Sequence, residues 1–171
     1  MTSPLGILGA DERWFSISIA NDVHVWTEGG TDDLLSLVGV ADAWRRGATL
    51  RELHERFPFM SHTELAQEFE DGDPVATQWE RLLSHEIFEE KRPLVRAAHA
   101  HDRLRVLLPV ISHGSLVLSR NPRDRASEGF WIVPLAGGKY RVRSTKLNES
   151  ERVVASMDAA IDCVASWAAA L

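Results

Sequence analysis

The sequence of 171 residues contains a single cysteine, Cys163, so no disulfide can form within the chain. Proteins without disulfides fit a reducing compartment, and we expect a cytoplasmic location. The longest apolar runs, such as 106–111 and 164–171, fall far short of the roughly 20 residues that span a bilayer. No charged region followed by an apolar stretch opens the chain, so we expect neither a secretory signal nor a membrane partner.

Positive charge is also scarce, with 19 Lys and Arg against 25 Asp and Glu and a formal net charge of -6. This balance argues against binding to the phosphates of nucleic acid, and we predict no nucleic-acid partner. With 44% hydrophobic and 26% charged residues, the composition is that of an ordinary globular protein. We therefore expect one domain covering residues 1–171, with no basis for predicting its oligomeric state.

The N-terminal pattern predicts a β-hairpin over residues 10–28. Phe15, Ile17 and Ile19 alternate with polar side chains, which is typical of a strand with one buried face. An Asn-Asp pair follows, and these residue types favour turns.

Residues 31–105 change to helical spacing, and we predict four or five helices there. Leu34, Leu37 and Val38 recur three and four residues apart in the first of these. Pro93 should kink or restart the last helix. The predicted N-terminal caps are Thr31, Thr49 with Glu52, Ser61 with Glu64, and Asp73 ahead of Pro74.

Residues 106–171 return to strands and end in a helix. A tight turn is predicted at His113-Gly114 and a hairpin around the Gly-Gly pair 137–138, and Pro109 favours a strand at a sheet edge or a bulge. A polar, aperiodic stretch at 121–128 is the candidate mobile loop. The predicted fold class is α+β, in which N- and C-terminal strands share one antiparallel sheet. This sheet packs against the central helices, and the C-terminal helix closes the domain.

Motifs for metals and cofactors are missing, so we predict neither. Seven histidines are present, but none has the spacing of a helical zinc motif. The Gly-Gly pairs lack the flanking residues of phosphate-binding loops. Cys163 falls in an apolar helix, where a buried thiol stays protonated and unreactive.

One candidate catalytic segment runs from His62 to Asp71. A histidine near a helix N-terminus can act as a general acid or base near neutral pH, and carboxylates follow it along the helix. The alternative is that these residues cap the helix and solvate its surface. Both interpretations stay open, with His62 and Asp71 as the predicted catalytic residues.

The second candidate segment is the turn that contains His113. We predict that His113 is catalytic, and that Ser112, Ser115 and Arg120 bind an anionic or carbonyl group of the substrate. The alternative is a turn that selects these residue types for its backbone conformation alone. The functional interpretation requires another charged group from the helical half. It also predicts that this hairpin faces the helical layer near His62, with a cleft between them.

Several segments together resemble an uncharacterised actinobacterial family, domain of unknown function 6193, whose members are labelled natural product biosynthesis proteins. The resemblance covers about Trp14 to the C-terminus and implies a role in secondary metabolism, but it identifies no catalytic residues. The segments that carry it are 44–53, 56–60, 70–72, 112–116 and 140–142.

Two functions follow from these observations. The first is a cofactor-independent acid–base enzyme of natural-product biosynthesis, catalysing a cyclisation, isomerisation or dehydration on a small metabolite. The second is a non-catalytic binding, accessory or immunity-like partner of a pathway protein. An enclosed pocket with a histidine beside a carboxylate would favour the enzyme, and a flat acidic or apolar face would favour the partner protein.

Overall fold

A computed structural model describes residues 13–21, 24–121, 129–145 and 150–170 of the chain. It divides into two compact units, Met1–Glu70 and Asp71–Leu171. Whether the two units combine into the single domain expected over residues 1–171 stays a prediction. The predicted mobile loop falls mainly on residues 122–128, which lie outside the described residues. No helix in the described ranges is long and apolar enough to cross a membrane.

The N-terminal unit contains three strands and three helices among its described residues. In chain order these are β1 Phe15–Ala20, β2 Val25–Thr31, α1 Leu34–Arg45, α2 Leu50–Arg56, β3 Met60–Ser61 and α3 Glu64–Asp71. Strand β1 pairs antiparallel with β2, which confirms the predicted hairpin. Strand β3 adds to the other edge of β2, with Gly29 opposite Met60. The Thr27 hydroxyl, which is buried, donates to the Ser61 carbonyl at 2.8 Å and fixes this edge.

The C-terminal unit combines a five-stranded antiparallel sheet with helices. Its elements are α4 Pro74–Ser84, a 3₁₀ helix Glu86–Lys91, α5 Arg92–His99, β4 Leu108–Ser112, β5 Ser115–Ser119, β6 Gly129–Pro134, a 3₁₀ helix Ala136–Gly138, β7 Tyr140–Ser144, β8 Glu151–Val154 and α6 Met157–Ala169. The strands follow each other in sequence order, so β4 and β8 are the edges. The edge position of Pro109, the tight turn at His113-Gly114 and the hairpin around the Gly-Gly pair are therefore confirmed.

The α+β class, five helices between residues 31 and 105 and a C-terminal helix are confirmed, but the single sheet is wrong. The N-terminal strands form a sheet of their own, in which Met60–Ser61 pairs with the second edge of β2. A two-residue strand has no detectable alternation, so the sequence pattern could not predict it. Strand β8 was likewise not predicted.

Two of the predicted helix caps are confirmed. Thr49 and Glu52 form a reciprocal capping box at α2, and backbone and side-chain hydrogen bonds from Thr49 hold the pKa of Glu52 below its usual value. Asp73 caps α4 with Pro74 in its first turn. The predicted restart at Pro93 is also confirmed, because α5 begins one residue before it.

The other two predicted caps are wrong by two residues each. Helix α1 is capped by Asp33, whose carboxylate accepts from Leu35 N–H, whereas Thr31 only accepts from Asp33 N–H. Helix α3 is capped by Thr63, whose hydroxyl accepts from Ala66 N–H at 3.1 Å. Ser61 cannot cap it because it belongs to β3. Each stretch contains more than one residue that can cap, and tertiary pairing decides which one does.

A small apolar core holds the N-terminal unit together. It consists of Val40, Ala43, Leu53, Phe57 and Met60. The spacing of Leu34 and Val38 suggested a buried stripe, yet these side chains are 52% and 56% exposed. Helix α1 has apolar residues on both faces, so periodicity alone could not identify the buried one.

His24 lies in an aromatic stack of the same unit. Its ring stacks on Phe69 at 4.2 Å between centroids and contacts Trp26 at 4.0 Å. Both ring nitrogens are buried and have no hydrogen-bond partner among the described residues. Burial lowers the pKa of His24 below its usual value because it disfavours the charged imidazolium.

We predict that this histidine makes the protein less stable in mild acid. The unfolded chain takes up the proton near the ordinary histidine pKa of about 6.5, whereas folded His24 resists it until lower pH. The free energy of unfolding should therefore be unaffected by His24 above that value and decrease below it. Urea titrations between pH 8 and 5 should show a shallower decrease for His24→Phe, which keeps the stack. Equal pH dependence in both proteins would contradict this prediction.

Trp79 connects α4 to the chain segment that enters the sheet of the C-terminal unit. The indole is 2% exposed, and its N–H is shared between the carbonyls of Arg105 at 2.8 Å and Leu107 at 3.1 Å. It belongs to a core that includes Leu116 and Phe130. One side chain therefore fills the core and satisfies two carbonyls that no strand pairs.

We expect Trp79→Phe to lower the free energy of unfolding by about 1–3 kcal/mol, because the buried carbonyls lose their donor. Trp131→Phe, at a partly exposed site on β6 whose indole contacts Arg143, is the matched control and should cost less. Chemical denaturation of both variants measures the difference. Equal losses would show that the shared hydrogen bond is not the source of the effect.

Candidate functional site

An open cleft of about 450 Å³ lies in the N-terminal unit between α2 and α3. Its lining is polar and charged, and it includes His62, one of the predicted catalytic residues. The lining residues are Arg51, His54, Glu55, His62, Glu64, Gln67 and Glu68.

Two helical stripes form most of this lining. Arg51, His54 and Glu55 have i, i+3, i+4 spacing on α2, and residues 64, 67 and 68 repeat it on α3. Such spacing places side chains on one face of a helix. The polar stripe on α2, which includes His54, was not predicted. The repeated i, i+3, i+4 spacing of polar residues was the signal that could have identified it.

The two helices are arranged as an antiparallel hairpin by contacts at both ends. At the closed end of the hairpin, the turn through residues 57–63 connects them. At the open end, the Glu70 carboxylate accepts the Leu50 N–H at 3.0 and 3.2 Å. Leu50 lies in the first turn of α2, where backbone N–H groups have no acceptor within their own helix and attract negative charge. The contact holds the end of α3 against the beginning of α2, so that the stripes line one cleft.

Two imidazoles meet in this cleft. The rings of His54 and His62 lie 6.1 Å apart between centroids at an interplanar angle of 86°, an edge-to-face arrangement. Nδ1 of His54 lies 2.7 Å from the carbonyl oxygen of Met60. Glu55 and Glu64 contribute carboxylates to the same lining.

The surroundings assign a different tautomer to each ring. A carbonyl oxygen can only accept, so Nδ1 of His54 carries the proton and Nε2 keeps a lone pair. Nδ1 of His62 is buried and has no partner among the described residues. A buried N–H without an acceptor is rarer than an unpaired acceptor, which favours the proton on Nε2 of His62. In these tautomers Nε2 of His54 is a proton acceptor, and the Nε2–H of His62 is a hydrogen-bond donor.

The predicted catalytic carboxylate, that of Asp71, lies at the end of α3 remote from His62. Asp71 is the exposed last residue of α3, and helical rise places it roughly 10 Å along the axis from Glu64. The carboxylates nearest to the histidine pair in sequence and lining are Glu55 and Glu64 instead.

The residues predicted to form a site around His113 lie at different places on the β4–β5 hairpin. His113 is exposed at the tip between β4 and β5, where its Nδ1 lies 3.1 Å from the Ser112 hydroxyl. Ser115 is only 5% exposed, so it is not presented at the surface. Arg120 follows the last residue of β5. Five residues of extended chain separate it from Ser115, which is a distance of about 17 Å. The structure brings Ser112 and His113 together but not Arg120. The prediction that this hairpin faces His62 involves both units and stays a prediction.

Metal ligands do not converge in the part of the chain that the structure describes. No group of three or more His, Cys, Asp or Glu side chains there could hold an ion. Cys163 is partly buried on α6, and this burial raises the pKa of its thiol, while Arg152 partly opposes the shift.

We predict that Glu70 controls the geometry of the cleft. Glu70→Ala should speed hydrogen exchange of the Leu50 amide and destabilise the α2–α3 pair by about 1.5–3 kcal/mol, the usual range for a charged hydrogen bond. Glu70→Gln keeps an acceptor oxygen and should lie between this variant and the natural protein. Glu55→Ala removes a carboxylate from the cleft lining and is the control. Unchanged exchange at Leu50 in Glu70→Ala would refute this role.

Comparison with known proteins gives one match. No curated protein and no solved structure matches the chain. A family of unknown function, DUF6193, matches residues 73–171, which coincide with the C-terminal unit from Asp71 onward. The cleft between α2 and α3 lies outside this match. Because the match covers more than half of the sequence, the chain belongs to the family of unknown function DUF6193.

Proposed function

We propose that the cleft between α2 and α3 is the acid–base site of a cofactor-independent enzyme. The observation that carries this proposal is the histidine pair, in which one ring is held as a proton acceptor by the Met60 carbonyl. The other ring, His62, is favoured as a donor. Moving a proton within a substrate requires one group that accepts the proton and another that donates a hydrogen bond to the reacting atoms.

The reaction class follows from these roles. His54 Nε2 takes a proton from a carbon or oxygen of the substrate and returns it at a second atom. Between these two transfers, the Nε2–H of His62 donates a hydrogen bond to the substrate oxygen that gains negative charge. Isomerisation, dehydration and cyclisation each combine a removal with a delivery of this kind. Among the described residues neither Glu55 nor Glu64 forms an ion pair, so both carboxylates remain available to orient the substrate or the imidazoles.

The biological setting that we propose is natural-product biosynthesis in an actinobacterium, with a small metabolite as the substrate. The sequence resemblance supports this setting, because members of the family carry that label. An open cleft with charged walls suits a polar metabolite more than an apolar one.

Proton transfer can be tested directly in heavy water. Protein is incubated with the low-mass metabolite fraction of the producing organism in D₂O, and mass spectrometry follows deuterium uptake or product formation. We expect one metabolite to gain deuterium or to be converted. His54→Asn keeps a donor for the Met60 carbonyl but lacks the base, and should reduce the rate by about 10²–10⁴-fold.

The control for this experiment is His101→Asn, in the C-terminal unit, where Nδ1 of His101 accepts from Arg103 N–H. This variant should retain the full rate. No isotope uptake with any metabolite, or equal rates for the two Asn variants, would refute the acid–base proposal.

A specific observation favours the second function, a non-catalytic accessory or immunity-like partner. Leu34, Leu35 and Val38 lie on α1 and are 52%, 80% and 56% exposed. Exposed apolar groups of this kind mark protein contacts more often than catalytic sites. In the producing organism, an accessory role predicts that Leu35→Asp abolishes product formation while His54→Asn does not. The enzyme predicts the reverse.

A further inference from the structure

We propose that the tip of the β4–β5 hairpin, together with Lys91, binds an oxyanion such as a phosphate or carboxylate group. This site lies in the C-terminal unit and is separate from the acid–base cleft. The functional interpretation of His113 requires a charged group from the helical half. Lys91 is that group, and it was not among the predicted site residues.

The contact between Lys91 and the turn is the first observation. A side chain at Gly114 would place its Cβ 3.8 Å from Nζ and 3.9 Å from Cε of Lys91. The end of this lysine therefore lies beside the turn, at van der Waals distance from position 114. Among the described residues Lys91 forms no ion pair.

The conformation of the turn is the second observation. His113 has φ +48°, the only positive φ of a non-glycine residue in the described ranges, and Gly114 has φ +79°. Both central residues thus have the sign that a type I′ hairpin turn requires. His is among the non-glycine residue types that adopt positive φ, and this conformation leaves its imidazole exposed at the tip of the hairpin.

Three groups consequently meet at one exposed tip: an ammonium, an imidazole and the Ser112 hydroxyl, which lies 3.1 Å from His113 Nδ1. The ammonium can donate charge-assisted bonds to an oxyanion. The Ser112–His113 pair offers one further donor, which is Nε2–H when the hydroxyl donates to Nδ1 and the hydroxyl when Nδ1–H donates to it. Arg92, the next residue after Lys91, is held by a bond from Nη2 to the His85 carbonyl at 3.3 Å. This contact directs the Arg92 guanidinium to the His85 carbonyl, so Lys91 is the cationic side chain that the structure places beside Gly114.

Binding can be measured by NMR on the full chain. Inorganic phosphate and acetate are titrated separately at constant ionic strength, and the amide signals of His113 and Gly114 are followed. We expect saturable shifts with at least one probe. Saturation by phosphate alone assigns a phosphate-bearing ligand, whereas saturation by acetate also assigns a carboxylate. The absence of saturation with both probes would overturn the proposal.

Two variants test the residues. Lys91→Gln should weaken binding about fivefold or more because the charge-assisted bonds are lost. His113→Asn preserves the backbone conformation, since Asn tolerates positive φ, and should also weaken binding. The second variant keeps the test decisive if the first one folds poorly.

The matched control is Lys139→Gln. Lys139 follows the Gly-Gly turn between β6 and β7, where no imidazole is present. This variant should bind the probes as tightly as the natural protein. An equal loss of affinity in Lys91→Gln and Lys139→Gln would show that only the general charge of the protein attracts the anion, and would overturn the site. Neither result depends on turnover, so the acid–base proposal is tested independently.

Discussion

The hydrogen bonds from the Leu50 amide to the Glu70 carboxylate are the constraint on which the cleft depends. Residues 50 and 70 are far apart in sequence, and α2 and α3 are each too short to be stable alone. With this contact at one end and the turn through β3 at the other, the two helices can only pair antiparallel. The polar faces then oppose each other, and His54 comes to lie beside His62.

The parts of the fold that depend on neighbouring residues could be predicted from the sequence. The arrangement of the strands in two sheets, which depends on pairing between distant residues, was mispredicted. The capping box at Thr49 and the Asp-Pro start of α4 involve neighbours within three residues, so they could be identified from sequence alone. The third strand of the N-terminal sheet, by contrast, is formed by Met60 and Ser61 pairing with β2 more than thirty residues away. Nothing within a few residues of that pair distinguishes a short strand from the beginning of a helix.

The candidate sites divide in the same way. His62 could be identified because a histidine near a helix N-terminus is visible in one segment. Its partner His54 required the polar spacing on α2 to be considered as well. Lys91 could not be predicted to approach Gly114, because the contact depends on how a 3₁₀ helix packs beside a hairpin tip. Arg120, by contrast, is near in sequence but lies at the wrong end of a strand.

Pro109 on the edge strand β4 has a consequence for assembly. An edge strand exposes unpaired amide and carbonyl groups, and a neighbouring chain can extend the sheet by pairing with them. Proline lacks the amide, so β4 offers an interrupted set of donors to such a strand. At the other edge, β8 carries Glu151, which pairs with Arg141 at 3.3 Å, and the charged Arg152. Both edges of the five-stranded sheet thus carry features that disfavour pairing with a strand of another chain.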